Sequence, residues 1–171
     1  NNAEMGIMVT GSHNPKNHNG FKIVLNNNPF FGEQILNLQK DAKDFSSTNK
    51  KGKIKNLGVK NDYISFLKDS FNISKTLNIS WDCGNGAAGE IIKSISSVLN
   101  GSQKLMFCDI DGNFPNHHPD PSEEKNLKDL KDSVLKNKSD FGIAFDGDGD
   151  RIGIVDNLGR TIPGDLILLI F

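Results

Sequence analysis

The sequence lacks any uninterrupted apolar stretch of the ~20 residues that a membrane-spanning helix needs, and no leader pattern opens it. It lacks an excess of charge of either sign. Twenty Lys and Arg stand against 21 Asp and Glu, a net charge of −1, which excludes the basic footprint of a nucleic-acid binder or a membrane-surface protein. Cysteine is scarce: Cys83 and Cys108 are too few to staple a scaffold, so free thiols in a reducing cytoplasm are the expectation. Arginine is scarcer relative to lysine, with only Arg151 and Arg160 among the twenty basic residues. There is no internal repeat. There is no initiating methionine either, and apolar runs lie close to both ends, so the chain reads as a piece of a longer protein.

What is present is an alternation of short apolar segments. Met5–Thr10 and Phe21–Leu25 read as strands, with Asn26-Asn27-Asn28-Pro29 as a turn. Gly32–Phe45 reads as a helix with Ile35, Leu38, Ala42 and Phe45 on one face. Ser46–Gly58 is polar and aperiodic, the best linker candidate. Asn61–Phe71 reads as a helix with Tyr63, Phe66, Leu67 and Phe71 on one stripe; Tyr63 and Trp81 are read as core residues. Then come strand Leu77–Asp82, helix Ala87–Leu99 with Ile91, Ile95, Val98 and Leu99 inward, and strand Lys104–Asp109. Helix Glu123–Asn137, capped by Ser122 and turning Leu127, Leu130 and Val134 inward, leads to strand Phe141–Asp146. Such βαβαβ order implies parallel strands with right-handed crossovers. Ile152–Val155 is expected to fold back as a hairpin, and Asp165 to cap a final helix. The fold class is therefore α/β: the end of one α/β domain followed by a βαβαβ domain with a mixed, mainly parallel sheet.

Two segments carry chemistry. Asp146-Gly147-Asp148-Gly149-Asp150-Arg151 places three carboxylates at two-residue spacing. Ionised together they repel one another unless a cation is bound. Glycines let the backbone curl round an ion, and an oxygen-only ligand set favours a hard cation such as Mg²⁺. The segment follows an apolar strand and so sits where ligands collect in open α/β sheets. A calcium-binding EF-hand is excluded, because its sixth and twelfth positions hold Arg151 and Asn157 instead of Gly and Glu. The second segment is Thr10-Gly11-Ser12-His13-Asn14-Pro15, a hydroxyl presented on a tight loop, with His13 beside it and Lys22 at the start of the next strand. A phosphate carried by Ser12 would need a cation nearby, and His13 and Lys22 can move a proton or balance charge. The reading requires the early hydroxyl loop and the late acidic cluster to share one ion.

Gly84-Asn85-Gly86-Ala87-Ala88-Gly89 also matches the G-x-G-x-x-G dinucleotide pattern, with Asp109 twenty residues beyond Gly89. An NAD-binding oxidoreductase built on this loop is the rival expectation, although it leaves the acidic segment unexplained. Phe114–Pro121 contains adjacent His117 and His118, which point apart on most backbones, so a structured loop is expected there and not joint metal ligation.

The serine loop with Asn19-Gly20-Phe21-Lys22-Ile23-Val24, together with the acidic loop, resembles the alpha-D-phosphohexomutases, nearest to the bacterial phosphomannomutase/phosphoglucomutase branch. Gly84–Gly89 and Phe114–Pro121 resemble that family's second domain. The resemblance implies that residues 1–56 end domain I, 57–157 form domain II and 158–171 begin domain III of a four-domain enzyme. It implies a phosphorylated Ser12, Mg²⁺ held by Ser12 phosphate with Asp146, Asp148 and Asp150, proton transfer by His13 and Lys22, and Arg151 on phosphate or sugar. The implied activity interconverts sugar 1- and 6-phosphates through a bisphosphorylated hexose in the cytoplasm, with phosphoglucosamine mutase of the same family as the alternative. Sugar phosphates are the implied partners, with no nucleic acid or membrane, and the segment alone is expected to be inactive.

Overall fold

The structure, a computed structural model, describes residues 3–11, 14–15, 17–43, 51–70 and 74–169. These separate into two compact units, one containing the first three strands and the other running on from Val59.

The first unit is an antiparallel meander of β1 (Met5–Val9), β2 (Phe21–Leu25) and β3 (Asn28–Phe30), followed by α1 (Glu33–Asp41). Asn26 and Asn27 both have positive φ, 48° and 63°, which makes the β2–β3 link a two-residue turn whose twist matches that of the strands. Their apolar runs predict β1 and β2. The sequence misses β3, because Pro29 removes an amide donor and fits only an edge strand such as this one. At the far end of the β1–β2 pair the Thr10 amide bonds the Gly20 carbonyl at 3.0 Å. A side chain at residue 20 would meet the Thr10 carbonyl oxygen at 2.2 Å, so only glycine fits. Ile35 and Leu38, expected to face a core, are 43% and 46% exposed. Residues 44–50, which include Phe45 and the start of the expected linker, lie outside the described residues; 51–58 carry no regular structure.

The second unit begins with α2 (Lys60–Ser70) and continues through β4 (Ile79–Asp82), α3 (Gly89–Ser96) and β5 (Gln103–Met106). A 3₁₀ turn at Glu124–Leu127 leads into α4 (Lys128–Asn137), then β6 (Phe141–Phe145), β7 (Ile152–Asp156), β8 (Thr161–Ile162) and α5 (Gly164–Leu168). The sheet order is β5-β4-β6-β7-β8. β4 pairs in parallel with β5 and β6, β7 folds back antiparallel on β6 as expected, and β8 is antiparallel to β7, so four of the five strands point one way.

Each face of this sheet is packed by a different helix. Ile79 and Trp81 of β4 join Ile92 of α3 on one face, with Phe141, Ile143 and Phe145 against them. Leu127, Leu130 and Val134 pack on Ala144 and Val155 across the other. The strand residues under α4 are small: Ser80, Gly142 and Ala144. A side chain on Gly142 would lie 2.7 Å from Leu130 Cδ1 and Val134 Cγ2, so the smallness lets the helix settle on the sheet. The Ser80 hydroxyl, fully buried, is satisfied by the Ser133 and Ser139 hydroxyls at 2.9 Å each.

Several expectations change in three dimensions. Tyr63 is 52% and Phe66 67% exposed, while Ile64, between them in sequence, is the buried residue of α2; Phe71 lies outside the described residues. Val98, expected inward, lies beyond the end of α3 and is 49% exposed. The Ser122 hydroxyl bonds Asp120 and caps no helix. Pro163 precedes α5, so Asp165 sits inside its first turn. Trp81 is buried as expected, stacked on Phe145 with its Nε1 donating to Gln103 Oε1 at 2.9 Å. Among the described residues no helix is long and apolar enough to cross a membrane.

Leu130 of α4, fully buried against the sheet, and Leu158, 59% exposed, make a matched pair. Leu130→Ala is expected to cost about 2–5 kcal/mol in urea unfolding and Leu158→Ala less than about 0.5 kcal/mol. Equal costs would refute the assignment of the core.

Candidate metal centre at the carboxyl edge of the sheet

The chain enters the second unit's sheet at β4, adds β5 on one side and then crosses to β6 on the other. Reversal of this kind opens a crevice between the carboxyl ends of the two central strands. Asp82 is the last residue of β4 and Asp146 the first after β6, and both are fully buried. Each buried carboxylate is met by a basic side chain and by a backbone amide.

Asp146 folds back beneath its own loop. Its Oδ1 accepts the Arg151 amide at 3.1 Å and its Oδ2 the Arg151 Nε at 3.0 Å. The loop closes further through Asp146 N–H to the Arg151 carbonyl and Gly149 N–H to the Asp146 carbonyl, both 3.2 Å, with Gly149 at φ 76°. Asp148 and Asp150 rise from this base, the first half-buried and the second exposed. One carboxylate oxygen from each of Asp146, Asp148 and Asp150 lies within 4.8 Å of the others. Arg151 also approaches Asp120 at 3.8 Å and Asp150 at 4.0 Å. Asp120, Ser122, Arg151, Gly153 and Thr161 line a cleft of about 400 Å³ beside the loop.

The glycine segment Gly84–Gly89 packs against this loop. The Ala87 amide donates to the Gly147 carbonyl at 2.9 Å, and a side chain on Gly86 would lie 2.6 Å from that oxygen. A side chain on Gly89 would meet the Cys108 carbonyl oxygen at 2.1 Å, and one on Gly84 would meet Pro119 at 2.9 Å. Protein packing explains all three glycines. The amide at the start of α3 that a pyrophosphate would need already serves Gly147, and Asp109, the acid a ribose would need, is paired with Lys93 at 2.6 Å. The dinucleotide expectation is withdrawn on these contacts.

Sequence reasoning missed Asp82, Asn85 and Asp120. Asn85, buried with φ 56°, donates from Nδ2 to the Asp109 carbonyl and accepts from Asn116, both at 2.8 Å, tying three loops together. Asp82 accepts the Gly84 amide and the His117 Nε2, each at 2.9 Å. The signal for Asp82 was a carboxylate ending an apolar strand, which cannot be buried without a partner. His118 turns instead to Phe114, edge to face at 6.3 Å, so the adjacent histidines do point apart. Lys22 lies in β2 opposite Met8; Ser12 and His13 lie outside the described residues.

His117 has an acceptor at both ring nitrogens: the Asp82 carboxylate, and the His118 carbonyl 3.0 Å from Nδ1. Neither acceptor carries a proton of its own when Asp82 is ionised, so the surroundings favour the doubly protonated ring. The Asp82 bond raises its pKa above the usual 6.5, against the opposing effect of burial. A raised folded-state pKa means that the stabilisation is complete below about pH 6.5 and fades as pH climbs through the folded value. The gap in urea midpoint between the wild type and His117→Gln is therefore expected to be wide at pH 6 and to narrow by pH 9. A gap independent of pH would refute the charged ring.

The chain has counterparts among known proteins. Residues 61–159 match the model of phosphoglucomutase/phosphomannomutase alpha/beta/alpha domain II, and residues 1–45 match that of domain I. The chain is 43% identical over 169 residues to a phosphomannomutase/phosphoglucomutase of Pseudomonas syringae, covering 99% of this chain and 36% of that protein. It is 38% identical to a phosphoglucomutase of Neisseria meningitidis, with 97% and 36% covered. A crystal structure of a phosphoglucomutase/phosphomannomutase family protein from Burkholderia thailandensis superposes with a TM-score of 0.90 at 38% identity, over 98% of this chain and 36% of that one. The chain thus spans about a third of the length of these relatives, and it belongs to the phosphoglucomutase/phosphomannomutase family.

Proposed function

We propose that this chain carries the phosphoserine and metal-binding parts of a hexose phosphate mutase, which interconverts sugar 1- and 6-phosphates. The observation that carries the reading is the convergence of Asp146, Asp148 and Asp150 at the carboxyl edge of the sheet, with Arg151 at the base of the same loop. Residues 1–56 would be the C-terminal part of domain I, 57–157 domain II and 158–171 the start of domain III.

The donor set fits Mg²⁺. Octahedral coordination at about 2.1 Å separates ligand oxygens by about 3 Å to 4.2 Å, and the three carboxylate oxygens already lie within 4.8 Å. When bound, the ion would neutralise charge on a phosphate carried by Ser12, which would share it with the three aspartates. The chain's own residues would do the rest. Ser12 Oγ would hold the phosphoryl group, give it to a sugar hydroxyl, and take the other phosphate back after the bisphosphorylated hexose turns over. His13 and Lys22 would move the proton that leaves the attacking hydroxyl and returns to the departing oxygen. Arg151 would contact phosphate or sugar. Such chemistry is positioning and charge neutralisation. Phosphoserine brings nearly two negative charges to three carboxylates, more than one divalent ion offsets, which gives Lys22 and Arg151 their role.

Mannose and glucose phosphates are the favoured substrates, because the relatives named for them are 38–43% identical. A phosphoglucosamine mutase of Caldicellulosiruptor saccharolyticus is 34% identical, which keeps glucosamine phosphate as the alternative. The free thiols suit a reducing, cytoplasmic setting. The chain alone is expected to bind metal without turnover.

Two measurements test this. Calorimetric titration of the chain with Mg²⁺ is expected to weaken at least about tenfold in Asp148→Asn; an unchanged titration counts against ligation. In a chimaera in which this chain replaces the matching segment of the Pseudomonas syringae enzyme, Ser12→Ala is expected to lower turnover by at least about 10³-fold. Near-normal activity would refute the phosphoserine role.

A further inference from the structure

Cys83 and Cys108 take no part in the proposed chemistry, yet they occupy a defined position. Cys83 follows the last residue of β4 and Cys108 lies two residues past the end of β5. Their sulfurs are 3.2 Å apart. Both residues are free thiols and buried, Cys83 completely and Cys108 with 7% of its surface exposed. They are 25 residues apart in sequence and joined through α3. Phe107, between β5 and Cys108, has φ 53°, so the chain has already left the ladder where the second thiol stands. A disulfide needs about 2.05 Å between sulfurs, which leaves about 1.2 Å to close. Loop backbone can absorb that shift more readily than paired strand.

The pair is also polarised. Lys93 of α3, the partner of Asp109 at 2.6 Å, lies on the Cys108 side. The hydrogen bond with Cys83 and then the Lys93 charge hold the Cys108 thiol below its ordinary pKa, while the same bond and burial push Cys83 up. Cys108 is the more accessible of the two, and Cys83 is the neighbour placed to resolve whatever forms on it.

We propose that Cys83 and Cys108 form a reversible, peroxide-driven disulfide site at the carboxyl ends of β4 and β5. The Cys108 thiolate attacks one oxygen of hydrogen peroxide; the O–O bond breaks, hydroxide leaves and takes the thiol proton as water, and Cys108 becomes a sulfenic acid. Cys83 sulfur then attacks the Cys108 sulfur. The S–OH bond breaks, hydroxide leaves with the Cys83 proton as a second water, and the S–S bond forms. Two thiols lose two electrons to one peroxide. A small oxidant is specified because only a narrow part of Cys108 is open. The site does not depend on the mutase reading, since it needs neither Ser12 nor the acidic loop.

The test treats the folded 171-residue chain with hydrogen peroxide, then denatures it, alkylates it with iodoacetamide and maps the peptides. The expected result is loss of alkylation at both cysteines with a Cys83–Cys108 cross-linked peptide that dithiothreitol restores to two thiols. In Cys83→Ser, the sulfenic acid at Cys108 is expected to persist and be captured by dimedone. Full alkylation of both thiols after peroxide, or over-oxidation of Cys108 without a cross-link, would overturn the proposal. The wild-type arm stands alone if the variant fails to fold.

Discussion

Buried carboxylates at the end of a sheet must be compensated, and the second unit is organised round two of them. Asp82 closes β4 and Asp146 follows β6, each without solvent exposure. An uncompensated charge in such a place costs several kcal/mol. His117 answers the first and Arg151 the second, each supplied by a loop that lies against the strand ends. The loop bearing His117 also brings Asp120 up to Arg151 at 3.8 Å, so the two compensations share a border.

Two more carboxylates stand above the compensated base. Arg151 offsets Asp146, yet Asp148 and Asp150 stand on the same short loop, where the glycines permit a close turn. Gly86 lets the neighbouring segment approach the Gly147 carbonyl, so the acidic loop rests on protein from below and opens outward.

Local patterns made much of this legible. The apolar periodicity of Leu127, Leu130 and Val134 placed α4 correctly on the core, although its first turn proved to be a 3₁₀ turn. The aspartate–glycine alternation marked the acidic loop, because charge repulsion is a property of near neighbours. The same local reading misjudged Tyr63 and Phe66, since periodicity finds an apolar stripe but not what covers it. It missed β3 and β8, three and two residues long, which exist only because a neighbouring strand is there to bond them. It kept a nucleotide cradle at Gly84–Gly89 as a rival, because a glycine needed by a phosphate and one needed by a carbonyl look alike in sequence.

The amino-acid order by itself determined the alternating α/β class, the hairpin after the acidic loop and the identity of the three clustered carboxylates, all of which follow from contacts within a few residues. Only the tertiary structure decided that Asp82 meets His117 across 35 residues, that Gly86 makes room for Gly147, and that two distant thiols touch. Those contacts join segments that come together when β4, β5 and β6 line up in one sheet. Their partners are chosen by the packing of the whole unit and leave no periodic trace along the chain.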